Sequence, residues 1–283
     1  MRTAGGGRPR RVIPEPARLA TEPDPPAGTR VRLLRSAWPL MLRRTLPCAS
    51  APIAAWSRRD ATAAWVHLVA GGAGPLGGDR LRLEVDVGAR STLVLGEVSP
   101  TLLLPGPYDE ESRTEFDIRV GPLGTLVWLP QPVVPAAGCR HRTDIRIALH
   151  HDSRLLLREE VLFGRYGETP GTLRQRLRAT AGGRVLYDQE LVVGPEAPGW
   201  DGPAVTAGLH AAGTVLLADA TLVESRPGRH PHSGGLDEHT ALFALPGPGL
   251  AFTALAPDSA TLRRRLDSAV DALLSGPDRK GPG

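Results

Sequence analysis

The sequence predicts a mainly β fold, with a body of stacked β-strands similar to a β-helix or solenoid and a C-terminal α-helix. Several segments alternate apolar and polar residues with a period of two, which is typical of strands with one buried face. Gly (33) and Pro (28) make up about a fifth of the 283 residues, so turns are frequent and long helices are excluded from most of the chain. Clear helical periodicity appears only near the C-terminus.

The N-terminal segment, residues 1–28, is rich in Pro, Gly and Arg. It is predicted to be a disordered leader, because proline donates no backbone hydrogen bond to a helix or a sheet. A single β-rich domain is predicted to follow over residues 29–283. Its first part, from Val31 to Trp65, has apolar clusters without clean periodicity and is interpreted as short strands.

The clearest strand signals lie in the middle of the chain. Leu81 to Val87 and Ile145 to Leu149 alternate in polarity, and Leu216 to Val223 and Leu250 to Leu255 are also predicted strands. A unit of strand end, short turn and new strand recurs about every 30 residues, which favours stacked β units. Frequent turns in any all-β chain are the alternative explanation. The anchors of the repeat are Leu93, Leu126, Leu155, Val185 and Val215, with a looser copy at Leu250.

The C-terminal helix is predicted over residues 258–275. Asp258 or Ser259 caps its first turn, since a short side-chain oxygen accepts a hydrogen bond from a free N–H group there. Apolar residues at helical spacing form one face, which is interpreted as packing on a sheet or on a partner protein. The candidate partner contacts on this face are Leu262, Leu266 and Val270.

The charge distribution argues against nucleic acid as a partner. The formal net charge is +4, but residues 1–44 hold ten of the 34 basic residues and three of the 30 acidic ones. The remainder is slightly acidic and aromatic residues amount to 4%, whereas nucleic-acid proteins interleave a basic stripe with aromatics. Because the sequence has neither an apolar run of about 18 residues nor a signal peptide, we expect a cytoplasmic protein without a membrane partner.

A glycine-rich loop matches the dinucleotide-binding pattern GxGxxG through Gly72, Gly74 and Gly77. A dinucleotide site needs a helix next, whose N-terminus faces the pyrophosphate. A strand is predicted here instead. The loop is therefore interpreted as a tight turn in which Asp79 accepts hydrogen bonds from backbone N–H groups.

Candidate metal ligands are scattered along the chain. Cys139 and His141 would share one face of a strand, although burial of the cysteine is the alternative. Glu159 is adjacent to Glu160, so the two carboxylates are predicted to point to opposite faces and do not form an acid–base pair.

The densest donor group lies between His230 and His239. Imidazole and carboxylate ligands suit nickel or zinc, but the Gly- and Pro-rich surroundings favour a solvated loop. The chain has no P-loop and no recognisable catalytic motif.

Three motifs follow one another at characteristic distances: a GGD loop that opens an alternating strand, a WLPQP segment, and a Gly-Arg pair that follows Glu159. In this order they resemble the UreD/UreH family of urease accessory proteins, over roughly residues 30–275. Residues 96–105 depart from the family pattern. The positions that carry the resemblance are Gly72, Gly77, Gly78, Asp79, Trp128, Pro130, Gln131, Pro132, Gly164 and Arg165.

The resemblance implies a non-enzymatic scaffold with a mostly β fold. Proteins of this family join apo-urease to the accessory protein UreF and, through it, to the GTPase UreG, which brings nickel. No tightly bound cofactor is implied, but nickel could bind transiently. The candidate nickel ligands are Glu159, which could line a polar path through the β body, and Cys139 with His141.

Two other functions stay open at this point. A β-solenoid enzyme acting on a sugar or an anionic substrate would need clustered acids, about 5–9 Å apart for glycoside chemistry. A free metal-binding protein would use the loop from His230 to His239.

Overall fold

The computed structural model describes residues 15–26, 28–47, 51–57, 62–224 and 234–274. The first nine strands are β1 (Ala17–Asp24), β2 (Gly28–Arg35), β3 (Leu40–Arg44), β4 (Ala64–Ala70), β5 (Arg80–Val87), β6 (Thr92–Glu97), β7 (Thr101–Leu103), β8 (Ser112–Val120) and β9 (Thr125–Leu129). The next nine are β10 (Val133–Pro135), β11 (Arg140–Leu149), β12 (Arg154–Leu162), β13 (Thr172–Ala181), β14 (Arg184–Val193), β15 (Ala211–Ala218), β16 (Gly234–Asp237), β17 (Thr240–Ala244) and β18 (Gly249–Ala256). The helices are α1 (Ala51–Ser57), α2 (Ala220–Glu224) and α3 (Ser259–Leu274).

Two sheets pack face to face. Sheet A has the order β14-β13-β11-β8-β5-β1-β2, and sheet B has the order β16-β17-β18-β15-β12-β9-β6-β4-β3, with β7 and β10 branching beside β12. In the centre of sheet A, β5, β8 and β11 are parallel to one another. Each of them is followed in the chain by a strand of sheet B, and these strands, β6, β9 and β12, are also parallel to one another. The chain therefore crosses between the sheets three times in the same way, which confirms the predicted stacked β body.

The predicted repeat is correct for its first three copies. Leu93, Leu126 and Leu155 pair in register across β6, β9 and β12. The later anchors break the repeat, because Val185 lies in a β13–β14 hairpin of sheet A and Val215 lies in β15, which is antiparallel to β12. An antiparallel pair needs only a short turn, so the chain leaves the crossing pattern where these hairpins begin.

Each central sheet B strand is buried on both faces, and this explains its nearly continuous apolar sequence. Leu126 faces the main core between the sheets, whereas its neighbour Val127 faces a second core beneath α1 and α3. Sheet A has one face in the main core and one in solvent, and its strands accordingly alternate in polarity. The covering of a sheet thus determines the sequence pattern of its strands.

The solvent face of sheet A carries cross-strand ion pairs. Asp117 of β8 accepts a hydrogen bond from Arg146 of β11 at 2.6 Å and lies 3.0 Å from Arg82 of β5. The hydrogen bond from Arg146 holds the pKa of the Asp117 carboxyl below its usual value. Such pairs favour this register, since like charges directly opposite each other are destabilising.

Helix α3 confirms the predicted C-terminal helix. Asp258 caps it, since its Oδ1 accepts a hydrogen bond from Thr261 N at 2.7 Å. None of the helices in the described ranges is both long enough and apolar enough to cross a bilayer.

The apolar face of α3 packs on the chain's own sheet. Leu262, Leu266 and Val270 are buried in the second core, against β15 and β18. Gly213 of β15 provides room for them, because a Cβ atom there would lie 2.6 Å from Leu266 Cδ1. The three residues therefore have no surface to offer to another protein in this structure, and their prediction as partner contacts is corrected.

The predicted disordered leader is wrong for residues 17–24. These residues form β1, which lies inside sheet A between β5 and β2, and Ala17 and Leu19 are buried in the main core. Pro16, Pro25 and Pro26 flank the strand, where they remove few ladder hydrogen bonds, and Pro23 lies near its end. Residues 1–14 lie outside the described residues.

Two further segments differ from the predicted strands. The segment from Val31 to Trp65 contains α1 as well as β2 and β3, and the strand predicted from Leu216 to Val223 ends at Ala218. The chain then enters α2, because Asp219 Oδ1 accepts a hydrogen bond from Thr221 N at 3.0 Å and caps the helix.

We expect a chain that begins at Thr29 to be insoluble or unfolded, because it lacks β1, which leaves one edge of β5 exposed and β2 without its partner strand. A chain that begins at Glu15 keeps these contacts and should remain soluble. Soluble yield and circular dichroism of the two truncations test this expectation. Equal solubility and equal β content would contradict the position of β1 between β5 and β2.

Leu266→Ala should lower the free energy of unfolding by about 2–5 kcal/mol, because it leaves a cavity beneath α3. Chemical denaturation measures this change. Ser268→Ala, on the exposed side of the same helix, is the matched control and should change the stability by less than about 0.5 kcal/mol. A variant as stable as the parent would show that α3 is not docked as described.

Candidate functional site

The inner faces of the two sheets change from apolar to polar at one end of the strands. The strands β8, β11 and β13 begin at this end, and β6, β9 and β12 finish there. The three crossings between the sheets, from β5 to β6, from β8 to β9 and from β11 to β12, lie at the other end of the strands. We call this the loop end, and the other the turn end. Polar residues near the loop end, in the first inward positions of sheet A, are Ser112, Thr114, His141, Thr143 and Gln175.

A cavity of about 100 Å³ lies in this polar layer. Exposed loop residues such as Gly72 and Ser99 contribute to its lining, so it reaches the surface at the loop end. Its polar wall includes Glu97, Gln131, His141, Glu159 and Gln175, and its apolar wall includes Leu103, Phe116, Trp128 and Leu157.

Two polar atoms of the cavity lining, Trp128 Nε1 and Gln175 Oε1, have no hydrogen-bond partner within the described part of the chain. Both residues are buried. Polar atoms in such positions are normally satisfied by ordered water or by a bound ion. The cavity is therefore suited to a small polar occupant.

Glu159 lies on the inward face of β12, opposite sheet A. Its Oε2 atom accepts a hydrogen bond from Gln175 Nε2 at 3.0 Å. Burial raises the pKa of this carboxyl to about 7, and the hydrogen bond from Gln175 opposes the rise only in part. Near neutral pH, Glu159 can consequently lose or gain a proton with little driving force.

Glu97 occupies a similar position at the end of β6. Its Oε2 atom accepts a hydrogen bond from Gln131 N at 3.1 Å. Burial again raises the pKa of the carboxyl to about 7. The cavity thus contains two carboxyl groups whose charged form would be stabilised by a cation.

Glu160 faces the opposite side of β12. Its carboxylate lies 3.2 Å from Arg158 Nε and accepts a hydrogen bond from Arg263 Nε of α3 at 3.1 Å. The predicted opposite orientation of Glu159 and Glu160 is confirmed. These adjacent acids therefore do not form an acid–base pair. In addition, the cavity of about 100 Å³ is smaller than the roughly 300–1,000 Å³ that is typical of small-molecule sites.

The WLPQP segment connects the cavity wall to α3. Trp128 is buried between the sheets, and Pro130 and Pro132 follow where β9 ends. Gln131 bonds Glu97 through its backbone N–H, and its Oε1 accepts a hydrogen bond from Arg263 Nη2 at 3.3 Å.

The GGD loop is a tight turn, as predicted. Asp79 Oδ2 accepts a hydrogen bond from Leu76 N at 2.9 Å, and β5 rather than a helix follows. Gly77 is required by close approach, since a Cβ atom there would lie 2.5 Å from Gly106 N. Gly78 has a φ of 95°. This loop forms part of the cavity rim and has no dinucleotide-binding geometry.

The Gly-Arg pair shapes the loop after β12. Gly164 has a φ of 89°, and Arg165 donates two hydrogen bonds to Glu168, from Nε at 2.7 Å and from Nη2 at 2.6 Å. Neither residue lines the cavity. The pair therefore maintains the loop conformation rather than the polar layer.

Cys139 and His141 have different surroundings in the structure. Cys139 packs in a third apolar cluster with Phe163 and Leu173, and burial raises the pKa of its thiol to about 11. A protonated thiol is a poor metal ligand, and Cys139 does not line the cavity. The structure therefore gives no support to its prediction as a metal ligand.

His141 does line the cavity. Its Nδ1 atom lies 2.7 Å from Ser112 Oγ. Burial lowers the pKa of the imidazole to about 4, so the ring is neutral at pH 7 and one of its nitrogens can bind a cation.

A second recess begins on the other side of Glu159. It is a groove of about 870 Å³ between β14 and the strands β15, β17 and β18, and Tyr187, Thr214 and His239 contribute to its walls. Glu159 and Gln175 line both the cavity and the groove. His230 and His232, from the predicted histidine loop, lie outside the described residues.

Sequence reasoning missed Glu97, Thr143 and Gln175. A signal was available, because Glu97 and Gln175 are each polar at an inward position where the strand is otherwise apolar, and Thr143 follows His141 on the inward face of β11. Leu173, Gln175 and Leu177 share one face of β13, and the central position alone is polar. These positions come together only where the two sheets pack face to face.

Comparison with known proteins gives a consistent result. The profile of the family described as UreD urease accessory protein matches residues 16–279. Urease accessory protein UreD 3 of Streptomyces griseus is 41% identical over 262 residues, with 91% of this chain and 96% of that protein covered. UreD proteins of Streptomyces avermitilis (40%, 91% and 96% covered) and Streptomyces coelicolor (36%, 96% and 100% covered) are also similar.

The desolvated carboxyl groups of Glu97 and Glu159 should make the free energy of unfolding fall as the pH rises from about 4.5 to 7. Because the folded-state pKa of Glu159 lies above its unfolded value, the native state binds more protons in this window and unfolding becomes easier as they are lost. The substitution Glu159→Gln should reduce this pH-dependent decrease in the free energy of unfolding by up to about 3 kcal/mol. Urea denaturation at pH 5 and pH 8 measures it.

The exposed Asp201→Asn is the control for this measurement and should keep the pH dependence of the parent chain. An identical pH dependence in Glu159→Gln would show that Glu159 does not titrate in the buried position described here.

Proposed function

The chain belongs to the UreD family of urease accessory proteins, and we propose that it is a non-catalytic, cytoplasmic scaffold in the maturation of urease. In this proposal it binds apo-urease together with UreF and, through UreF, the GTPase UreG. GTP hydrolysis belongs to UreG, and nickel is the cargo that reaches the urease active site. Family membership supports the role in urease maturation.

The observation that carries this proposal furthest is the polar layer between the sheets. The cavity reaches the surface at the loop end, and beyond Glu159 the groove continues on the other side. Carboxylate oxygens and a neutral imidazole are suitable ligands for a borderline divalent cation. We propose that nickel moves along this layer, with Glu97, His141 and Glu159 as successive ligands.

Proton exchange makes such passage physically reasonable. A permanently charged carboxylate in the interior would be costly without a partner, but the pKa of both Glu97 and Glu159 is near 7. Each group can release a proton when the cation arrives and recover one when it leaves. The cation is then bound well enough to enter the layer and weakly enough to leave it.

Exposed aromatic residues at the loop end are the proposed protein contacts. Trp38, Tyr108 and Tyr166 lie on loops at this end and are all exposed. Exposed aromatic side chains are enriched in protein interfaces. They replace the buried face of α3 as candidates for partner binding.

Co-expression with urease subunits, UreF and UreG tests the scaffold directly. We expect the chain to co-purify with these proteins and to be required for urease activation. Trp38→Ala combined with Tyr166→Ala should weaken the complex by at least about 10-fold, as expected for aromatic interface residues. Absence of any complex, together with full activation without the chain, would refute the proposal.

Glu159→Gln tests the cation path separately from assembly. It preserves the hydrogen bond from Gln175 but removes the negative charge. The complex should still form, whereas the nickel content and activity of the matured urease should fall by about 10-fold. Metal analysis of purified urease measures the effect, with Asp201→Asn as control. Unchanged nickel content would exclude Glu159 from the path and leave the scaffold role intact.

A further inference from the structure

A group of metal-binding side chains lies at the turn end, away from the polar layer. The turn between β11 and β12 carries His150, His151 and Asp152, and one ligand atom of each lies within 4.8 Å of the others. In the described part of the chain, no other three His, Cys, Asp or Glu side chains come together in this way. Two imidazoles and a carboxylate suit borderline cations such as Ni²⁺ or Zn²⁺.

The backbone of this turn is held in place by neighbouring strands. His150 N donates a hydrogen bond to Val120 O at 2.9 Å, and Ser153 donates to His150 O through both its N (3.1 Å) and its Oγ (2.8 Å). Gly182 N, in the next turn, donates to Leu149 O at 3.0 Å. The three side chains are therefore presented from a fixed turn.

The carboxylate of Asp152 is oriented from outside its own turn. Its Oδ1 atom accepts a hydrogen bond from Leu123 N of the β8–β9 turn at 3.0 Å and lies 2.5 Å from His150 Nδ1. A bound cation would take the place of the proton between these two atoms, with both of them as ligands. The geometry of His150 is thus set before a cation arrives.

His151 completes the group and is open to solvent. Its ring centroid lies 4.2 Å from that of His150. The adjacent β13–β14 turn consists of Gly182 and Gly183, and a Cβ atom at Gly182 would come within 3.4 Å of His151 Cβ. The glycines leave the exposed ring free to rotate towards a cation shared with His150.

We propose that this turn binds one borderline divalent cation through His150, His151 and Asp152, with water as the remaining ligands. The ligand atoms of a bound cation lie roughly 3–4 Å apart, given metal–ligand distances of about 2.0–2.2 Å. Rotation of the exposed His151 side chain therefore suffices to close the site. It is a surface site, separate from the cavity that contains Glu159, and does not depend on the proposed passage.

Isothermal titration of the purified full-length chain with Ni²⁺ tests the site. His151→Ala and the more conservative His151→Gln should each weaken one binding event at least 10-fold, whereas His210→Ala, at another exposed histidine, should not. Circular dichroism confirms that the variants are folded. Ni²⁺ should also broaden the NMR signals of the His150 and His151 rings before those of other histidines.

Two further variants separate this site from other possible sites. Combined His230→Ala and His232→Ala should leave the binding event unchanged, and so should Glu159→Gln. Binding that survives both His151 variants, or that disappears only with the His230 and His232 substitutions, would overturn the proposal. Neither result would affect the proposed role in urease maturation, which is measured by complex formation and urease nickel content.

Discussion

The in-register repetition of the three sheet-to-sheet crossings is the constraint on which the rest of the structure depends. Because β5, β8 and β11 start at one end and β6, β9 and β12 finish there, equivalent positions of successive units form one layer between the sheets. The polarity of a layer is consequently shared by all units. Near the turn end the layers are apolar, as around Leu93, Leu126 and Leu155. Near the loop end they are polar, and the cavity forms there.

Sequence reasoning succeeded where a pattern is local and failed where a contact is distant. The amphipathic face of α3 and the turn around Asp79 follow from neighbouring residues, and both were predicted. The same pattern showed that Leu266 is buried but not which surface covers it. Strand β1 was missed because prolines lie within and beside it, and because β5, the partner that places it inside the sheet, lies some 60 residues along the chain. The contact of Glu159 with Gln175 joins two sheets and has no local signal.

The polar layer is not explained by folding alone. Apolar residues of similar volume at Glu97 and Glu159 would pack between the sheets without a desolvation cost, and replacing buried charged groups in this way is often stabilising. The layer also leaves Trp128 Nε1 and Gln175 Oε1 without partners in the described residues. Stability therefore does not explain why polar groups occupy this layer. Exchange of a small cation is a role that such groups can perform.

Gln131 gives the cavity a connection to the outer surface of sheet B. Its backbone N–H bonds Glu97 inside the cavity, and its side chain bonds Arg263 of α3, which also bonds Glu160. A shift of α3 would thus disturb the segment that contains Gln131, and with it the hydrogen bond that opposes the raised pKa of Glu97. The helix has no exposed apolar face to bind a partner with, yet its docking still affects the polar layer. A displacement of α3 and the protonation of Glu97 would in this way be linked through one short segment of chain.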